Sequence, residues 1–205
     1  ESDYLLREVP GAKVITFPWI IEPVHPVAPF EERSGMFFLG SYGHPPNADA
    51  VEYFLDDIWP TITEALPGQT FSIVGYGAPE ALVRRAHGLV RHVGYVPDLA
   101  PIMQESRICV VPLRFGAGVK GKVYEALAHG VPVVCTSLAA EGMDLTDGTD
   151  AVIADTPEAF AAAAIALHDD PALWARLSAG GQAYIERTVS REAGQRIMHR
   201  VLGMS

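Results

Sequence analysis

The chain has 205 residues, of which 49% are hydrophobic and 20% are charged, and its formal net charge is −10. These values are typical of a globular protein with one full hydrophobic core. They argue against nucleic acid and anionic lipid as partners, because an acidic surface repels both. No apolar run reaches the roughly 20 residues that a membrane-spanning helix needs, so we expect no transmembrane segment.

The first 35 residues differ from the rest. They contain one apolar run, Val14–Ile21, followed by residues 23–29, in which three of the positions are proline. Proline at this density is unsuited to a sheet and suits an extended connector. We therefore expect residues 1–35 to be the tail of a missing N-terminal domain with its connector, and residues 36–205 to form a C-terminal domain.

From residue 36 onward, short apolar runs alternate with helical patterns. The runs predict six strands, at Met36–Leu39, Phe71–Val74, Val90–Val93, Ile108–Val111, Val131–Cys135 and Ala151–Ala154. The stretches between them predict helices at Ala48–Trp59, Ala81–His87 and Leu99–Glu105, and one that begins near Lys120 and runs to His129. Asn47 is the predicted N-cap of the first of these helices.

After Thr156 the pattern is helical throughout, with predicted helices at Pro157–Leu167, Pro171–Tyr184 and Ser190–Leu202. Alternating strands and helices are typical of a parallel sheet that is covered by helices on both faces. The sequence therefore predicts an α/β fold, a Rossmann-like doubly wound parallel sheet with a C-terminal helical segment.

The two cysteines, Cys109 and Cys135, both lie in predicted strands. We interpret them as buried free thiols of a cytosolic protein. A metal site would need further ligands at suitable spacing, and the pairs Asp56-Asp57 and Asp169-Asp170 belong to predicted helices or their caps. We therefore expect no metal and no cofactor.

Ligands of an open α/β sheet bind beyond the carboxyl ends of its strands. The loops at this edge are Gly40–Asn47, Gly75–Pro79, Gly94–Asp98 and Arg114–Glu125. The last loop is the richest, because three glycines in it allow close backbone approach to a ligand. Lys120 and Lys122 fall at the predicted start of a helix, where a basic side chain is unfavourable unless an anion binds. A phosphate group is the anion that this pattern favours, although a solvated helix start is the alternative.

Glu125 follows Lys122 by three residues and shares its face of the helix. A carboxylate at this position can accept two hydrogen bonds from a cis-diol, such as the ribose 2′- and 3′-hydroxyls. The alternative is that Glu125 only forms a salt bridge along its own helix.

The run Pro112–Pro132, PLRFGAGVKGKVYEALAHGVP, resembles the nucleotide-sugar-binding signature of family 4 glycosyltransferases of the GT-B fold. The sequences IVGYG at 73–77 and VGYVPD at 93–98 resemble the glycine turn and the base-reading loop of the same family. The resemblance covers residues 36–205 and implies one half of a GT-B enzyme, the C-terminal domain that binds the donor nucleotide.

The resemblance also implies roles for residues of the loop around Lys122. Glu125 matches the second Glu of the family's Glu-x7-Glu motif and would bind the ribose. Lys122 would bind the diphosphate and offset the charge of the leaving group, so that these two residues are the expected catalytic pair. Further phosphate contacts are expected from Arg114, Gly118, Val119 and Lys120.

Two other loops complete the expected site. The backbone of Tyr95 and Val96 would hold the base, and Gly40, Ser41 and Gly43 would line the cleft near the phosphates. The sequence departs from the family at Ala117, where the first Glu of the motif should stand. The first loop also lacks the usual Arg and Lys, and His44 is either their substitute or a solvated loop residue.

The resemblance implies a hexosyltransferase-like, retaining, metal-independent enzyme of polysaccharide biosynthesis, with a nucleoside-diphosphate sugar as donor. The missing N-terminal domain would bind most of the acceptor, so the isolated domain should be inactive. We expect a cytoplasmic protein whose missing domain could attach peripherally to the inner membrane surface. A nucleotide-binding module without transferase activity is the alternative. A dinucleotide-dependent oxidoreductase is disfavoured because GSYGHP at 40–45 does not fit its glycine fingerprint.

Overall fold

The computed structural model describes residues 2–203, so positions 1, 204 and 205, where the predicted domain ranges begin and end, lie outside the described residues. A single sheet of six parallel strands runs through the fold in the order β3-β2-β1-β4-β5-β6. The strands are β1 Ser34–Leu39, β2 Phe71–Val74, β3 Val90–Gly94, β4 Ser106–Val111, β5 Val133–Cys135 and β6 Val152–Ile153. This order confirms the predicted Rossmann-like, doubly wound sheet, whose strand order reverses between β1 and β4.

All six predicted strands are present, and they differ from the predicted ranges only in their first or last residues. β1 and β4 begin two residues before their predicted starts, and β6 is shorter than predicted. β5 begins at Val133 rather than Val131. Pro132 explains this difference, because proline has no N–H to donate to a neighbouring strand.

Helices follow the strands and cover the sheet. Within residues 2–203 they are α1 Ser2–Glu8, α2 Pro45–Tyr53, α3 Trp59–Ala65, α4 Glu80–Val83, α5 Ala100–Glu105, α6 Gly121–Ala128, α7 Ser137–Ala140, α8 Pro157–Asp169, α9 Pro171–Thr188 and α10 Arg191–Leu202. The three last helices confirm the predicted C-terminal helical segment. α4 ends earlier than predicted, whereas α8 and α9 run a few residues further.

The helical run after β1 begins earlier than the predicted Ala48 and, through α2, a π-helical turn and α3, continues beyond the predicted Trp59. Pro45 and Pro46 occupy its first turn, a position that tolerates proline because the first amides of a helix have no intrahelical acceptor. His44 is therefore the N-cap residue, and the prediction that Asn47 caps this helix is wrong. A π-helical turn at Phe54–Ile58 joins α2 to α3, immediately before Pro60, whose ring would clash in a regular helix.

The N-terminal segment packs on the fold. α1 was not predicted, and the residues after it run without regular structure towards β1. The Ile21 amide donates to the Val189 carbonyl (2.9 Å), the Val24 amide donates to the Ala128 carbonyl (2.8 Å), and Gln182 Nε2 donates to the Val24 carbonyl (3.0 Å). This segment therefore lies against α6 and α9.

One continuous cluster of buried apolar side chains joins the sheet to its helices. Phe54 in the π-helical turn packs on Phe71 of β2 with ring centroids 4.5 Å apart. Tyr124 of α6 stacks on Tyr184 of α9 with ring centroids 6.2 Å apart. The second of these contacts fixes α6 against α9, so that the start of α6 is held at the carboxyl edge of the sheet. None of the helices within residues 2–203 is both long and apolar enough to cross a membrane.

Candidate functional site

A cleft of about 600 Å³ opens at the carboxyl ends of β1, β2 and β3. It is lined by Trp19, Leu39, Gly40, Ser41, His44, Asn47, Val74, Gly75, Tyr76, Tyr95, Val96, Leu99, Gly121, Lys122 and Glu125. We call it the main cleft. It lies beside the point where the strand order reverses, which is where ligands of doubly wound sheets bind.

A smaller cleft of about 190 Å³ adjoins the main cleft. We call it the side cleft, and it is lined by His44, Pro46, Asn47, Leu113, Gly116, Ala117, Val119, Lys120, Gly121 and Lys122. The two clefts share four residues, His44, Asn47, Gly121 and Lys122. A ligand could therefore extend from one cleft into the other across the start of α6.

The floor of the main cleft depends on a close contact between two loops. The Gly75 amide donates to the Gly94 carbonyl (2.8 Å), and Gly75 has a φ of +121°. A Cβ atom on Gly75 would lie 1.7 Å from the Gly40 carbonyl oxygen. A side chain at position 75 is therefore incompatible with the path of the loop after β1.

The far end of the main cleft is apolar and aromatic. Leu39, Val74 and Val96 supply aliphatic surface, while Tyr76 and Tyr95 are 61% and 70% exposed at its edge. Exposed aromatic rings beside aliphatic side chains suit a flat, partly apolar group such as a nucleobase.

Lys122 lies at the junction of the two clefts, in the first turn of α6. Its Nζ donates to Asn47 Oδ1 and lies 4.0 Å from the centroid of the Phe38 ring. Among the described residues, Lys122 forms no salt bridge with a carboxylate. Burial lowers the pKa of the Lys122 ammonium to about 7, and the charge of Lys120 acts in the same direction.

Lys120 lies beside Lys122 and is the N-cap residue of α6, where no side chain caps the helix. Its side chain is only 9% exposed and its Nζ donates to the Gly118 carbonyl. The start of α6 therefore combines uncapped backbone amides with two cationic side chains, an arrangement that favours a bound anion.

Glu125 lines the main cleft one turn further along α6. It forms no salt bridge within the described part of the chain, so the alternative of a helix salt bridge does not describe this structure. Glu125 is half-buried and lines the same cleft as Tyr95 and Lys122.

The structure brings most of the predicted residues together. Gly40, Ser41, Tyr95, Val96, Lys122 and Glu125 line the main cleft, and Val119, Lys120 and Lys122 line the side cleft. Gly118 is placed beside the side cleft by the contact between its carbonyl and Lys120. Gly43 is not among the lining residues of either cleft.

Arg114 lies apart from the other predicted residues. Its Nε donates to Asp49 Oδ2 (3.0 Å), its Nη2 contacts the same carboxylate, and its guanidinium lies 4.8 Å from the Tyr53 ring centroid. Arg114 lines neither cleft, and the Asp49 carboxylate offsets its charge. Its phosphate role remains a prediction.

Sequence reasoning missed Asn47, Tyr76 and Trp19, which line the main cleft, and the buried Phe38, whose ring contacts Lys122. Asn47 was interpreted as a helix cap, and the other three were given no role. A Cβ atom on Gly121 would lie 2.3 Å from the Trp19 ring, so this indole covers the start of α6. The glycine turn at 75–77 was a usable signal for Tyr76, whereas no local pattern connects Trp19 with a helix about 100 residues later.

Comparisons with known proteins identify the family and the fold of the chain. Residues 33–170 match the family model described as glycosyl transferases group 1. A phosphatidyl-myo-inositol mannosyltransferase from Mycobacterium leprae is 33% identical over an alignment of 159 residues that covers 74% of this chain and 42% of the relative. The chain therefore spans less than half the length of this curated relative.

Solved structures share the fold at low sequence identity. A mutant of S. aureus TarM in complex with fondaparinux, α-GlcNAc-glycerol and UDP has a TM-score of 0.78 at 14% identity, covering 98% of this chain and 41% of TarM. The pneumococcal O-GlcNAc transferase GtfA in complex with UDP and GlcNAc has a TM-score of 0.74 at 15% identity, covering 98% of this chain and 42% of GtfA. The fold is that of GT-B glycosyltransferases, and the chain belongs to the group 1 glycosyl transferase family.

Proposed function

We propose that residues 36–205 are the donor-nucleotide-binding domain of an enzyme that transfers a sugar from a nucleoside diphosphate to a hydroxyl acceptor. The observation that carries this proposal is the position of Lys122. It lies at the uncapped start of α6, where the main cleft meets the side cleft, with Glu125 one turn away. A nucleobase suits the aromatic surface, ribose hydroxyls suit the Glu125 carboxylate, and a diphosphate suits Lys122 at the start of α6.

In this proposal the base lies at the aromatic end of the main cleft, against the backbone of Tyr95 and Val96. Glu125 accepts hydrogen bonds from the two ribose hydroxyls. Lys122 and the first amides of α6 bind the diphosphate. As the glycosidic bond breaks, negative charge grows on the leaving phosphate, and preorganised donors aimed at that charge lower the barrier.

The side cleft is the proposed site of the distal phosphate and the sugar. Lys120, Val119 and Gly118 line or flank it. Binding would draw Lys120 Nζ from the Gly118 carbonyl to a phosphate oxygen. We also propose that the transfer needs no metal ion, because these lysines and amides can offset the phosphate charge. Retention of the anomeric configuration and a role in glycan assembly follow from the family resemblance alone.

We infer that the acceptor and the rest of the active site belong to a part of the enzyme beyond this chain, since the matches cover only 42% of the curated relative and 41% of TarM. Residues 1–35 would then connect the two domains, and the enzyme would work in the cytoplasm. The isolated chain should bind nucleotide and transfer sugar poorly. Robust transfer by these 205 residues alone would contradict this part of the proposal.

Isothermal titration with UDP, GDP, ADP and dTDP tests donor binding. We expect one diphosphate to bind, and the matching nucleoside to bind much more weakly because it makes no contact with Lys122. The variant Glu125→Gln should bind the same diphosphate more weakly. If none of the four diphosphates bound at millimolar concentration, the proposal would be wrong.

A nucleotide-binding module without transferase activity is the second candidate, and Ala117 favours it. This residue lines the side cleft where the family motif has a carboxylate that contacts the sugar. Full-length protein that binds the diphosphate, yet neither transfers sugar nor hydrolyses the nucleotide sugar, would favour this candidate.

A further inference from the structure

Asn47 connects the loop after β1 with the start of α6. Its Nδ2 donates to the Ser41 carbonyl (2.7 Å), and its Oδ1 accepts from Lys122 Nζ. The carbonyl partner fixes the orientation of the amide, because only the NH₂ group can donate to it. The Oδ1 atom must therefore face Lys122. Asn47 lies at the junction where the two clefts meet.

The partner of Lys122 is a neutral amide where a carboxylate would be the usual choice. An amide oxygen orients the ammonium without cancelling its charge, whereas a carboxylate would form an ion pair. The Phe38 ring lies against the same ammonium and adds a cation–π contact without adding charge. The cation is thus held from two sides while its charge remains available to the cleft.

Other titratable groups face Lys122 from the surrounding elements. Cys109 lies behind it in β4, and burial raises the pKa of that thiol, which is therefore neutral. Lys120 adds a second positive charge, His44 lines both clefts, and Glu125 lies one turn away on α6. None of these groups forms a salt bridge with Lys122 within the described residues.

We propose that Asn47 is a positioning residue that holds Lys122 as an uncompensated cation towards the diphosphate, and so sets the preference of the cleft for diphosphate over nucleoside. This inference rests on the proposed donor binding and deepens it. The amide of Asn47 supplies an acceptor that orients the ammonium, and its neutrality keeps the diphosphate as the only anionic partner.

Two substitutions separate orientation from charge. Asn47→Asp keeps the shape, loses the hydrogen bond to the Ser41 carbonyl as Asn47→Leu does, and adds a charge, so Lys122 should pair with it and bind the diphosphate about 10- to 100-fold more weakly. Asn47→Leu removes the acceptor, so the pKa of Lys122 should fall further. Gln104→Glu makes the same amide-to-carboxylate change at an exposed position on α5 and should have no effect.

The pH profile of diphosphate binding gives a readout that a purely structural role would not move. Between pH 7 and 9 the wild-type affinity should fall as Lys122 loses its proton. Asn47→Asp should flatten this fall, because a carboxylate raises the pKa of the ammonium, and Asn47→Leu should shift it to lower pH. Nucleoside affinity should stay the same in all variants.

The outcomes are distinguishable. Wild-type protein that binds no diphosphate would overturn the proposed function and this inference together. Wild-type protein that binds, with both Asn47 variants keeping its affinity and pH profile, would overturn the inference alone. Equal losses of nucleoside and diphosphate affinity in both variants would also overturn it, because they would indicate a structural role.

Discussion

Two cations lie at opposite ends of the parallel sheet, and the protein treats them differently. Arg33, immediately before β1, is 1% exposed and donates to the carbonyls of Ala28 (2.9 Å), Met103 (2.7 Å), Ser106 (3.2 Å) and His129 (3.1 Å). Lys122, beyond the opposite ends of the strands, has one amide oxygen and one aromatic ring as partners. The first cation is saturated by the fold, and the second keeps donors for a ligand.

From this difference we expect the Arg33 end of the sheet to contribute to stability and the Lys122 end to serve the proposed binding. The Arg33 guanidinium joins the connector, the end of α5, the start of β4 and the end of α6 by hydrogen bonds to their carbonyl groups. Burial lowers its pKa to about 10, a sign of the cost that these hydrogen bonds offset. Lys122 also loses hydration, but its remaining donors point to a cleft that a phosphate can enter.

The largest expected effect comes from Arg33→Ala. It leaves carbonyl acceptors unpaired in a buried site, so the free energy of unfolding should fall by about 3 kcal/mol or more. Arg33→Lys keeps the charge but lacks the fork of donors, and it should lose roughly half as much. Urea denaturation checks both variants. If Arg33→Ala had the same free energy of unfolding as the wild type, the claim that the Arg33 end of the sheet contributes to stability would be wrong.

The next effect concerns Lys122→Met, which keeps the length of the side chain and removes the charge. We expect the diphosphate affinity to fall by about 100-fold, which corresponds to about 2.7 kcal/mol of binding free energy. The free energy of unfolding should stay the same or rise, since a half-buried ammonium is costly. Calorimetry and denaturation on one sample measure both quantities. A stability loss like that of Arg33→Ala would contradict the distinction.

A smaller effect is expected from pH. With a pKa of about 7 in the free protein, Lys122 is protonated below that pH and neutral above it. A bound diphosphate favours the protonated form, so binding above pH 7 takes up a proton. The affinity should fall as pH rises, by at most about tenfold per pH unit. Titrations in buffers of different ionisation enthalpy measure this uptake, which should vanish in Lys122→Met.

The smallest effect concerns Trp19, which is 61% exposed at the main cleft while Trp59 and Trp174 are buried. Diphosphate binding should change the emission of Trp19, because its ring lies against the start of α6. The variant Trp19→Phe should abolish this signal and alter affinity only a few-fold, since one rim contact is lost. A full signal in the variant would assign it to the buried indoles.

The sequence predicted the sheet well because its strands are short continuous apolar runs, and Phe71–Val74 was correct at both ends. Errors arose where proline acts on the backbone. Pro132 delays β5, and Pro45 with Pro46 starts α2 early enough to place Asn47 inside the helix. Because Pro45 and Pro46 form the first turn of α2, Asn47 lies inside the helix and lines the clefts instead of capping the helix.

The site was predictable only where it is local in sequence. Lys122 and Glu125 share one turn of α6, and the glycines before them mark the loop. The contacts of Lys122 with Phe38 and Asn47 join residues more than 70 positions apart, and no periodic pattern encodes such pairs. Arg114 was predicted to bind phosphate because it is close in sequence to Lys120 and Lys122. In the folded chain its guanidinium pairs with Asp49.

The central claim is that Lys122 binds the diphosphate and Glu125 binds the ribose of one nucleoside diphosphate in the main cleft. Calorimetry on wild-type, Lys122→Met and Glu125→Gln protein, with the best diphosphate, its nucleoside and its 2′,3′-dideoxy form, tests it most directly. Lys122→Met should lose about 100-fold of the preference for diphosphate over nucleoside, and Glu125→Gln should no longer distinguish ribose from dideoxyribose. Equal losses for all three ligands in both variants would contradict the claim.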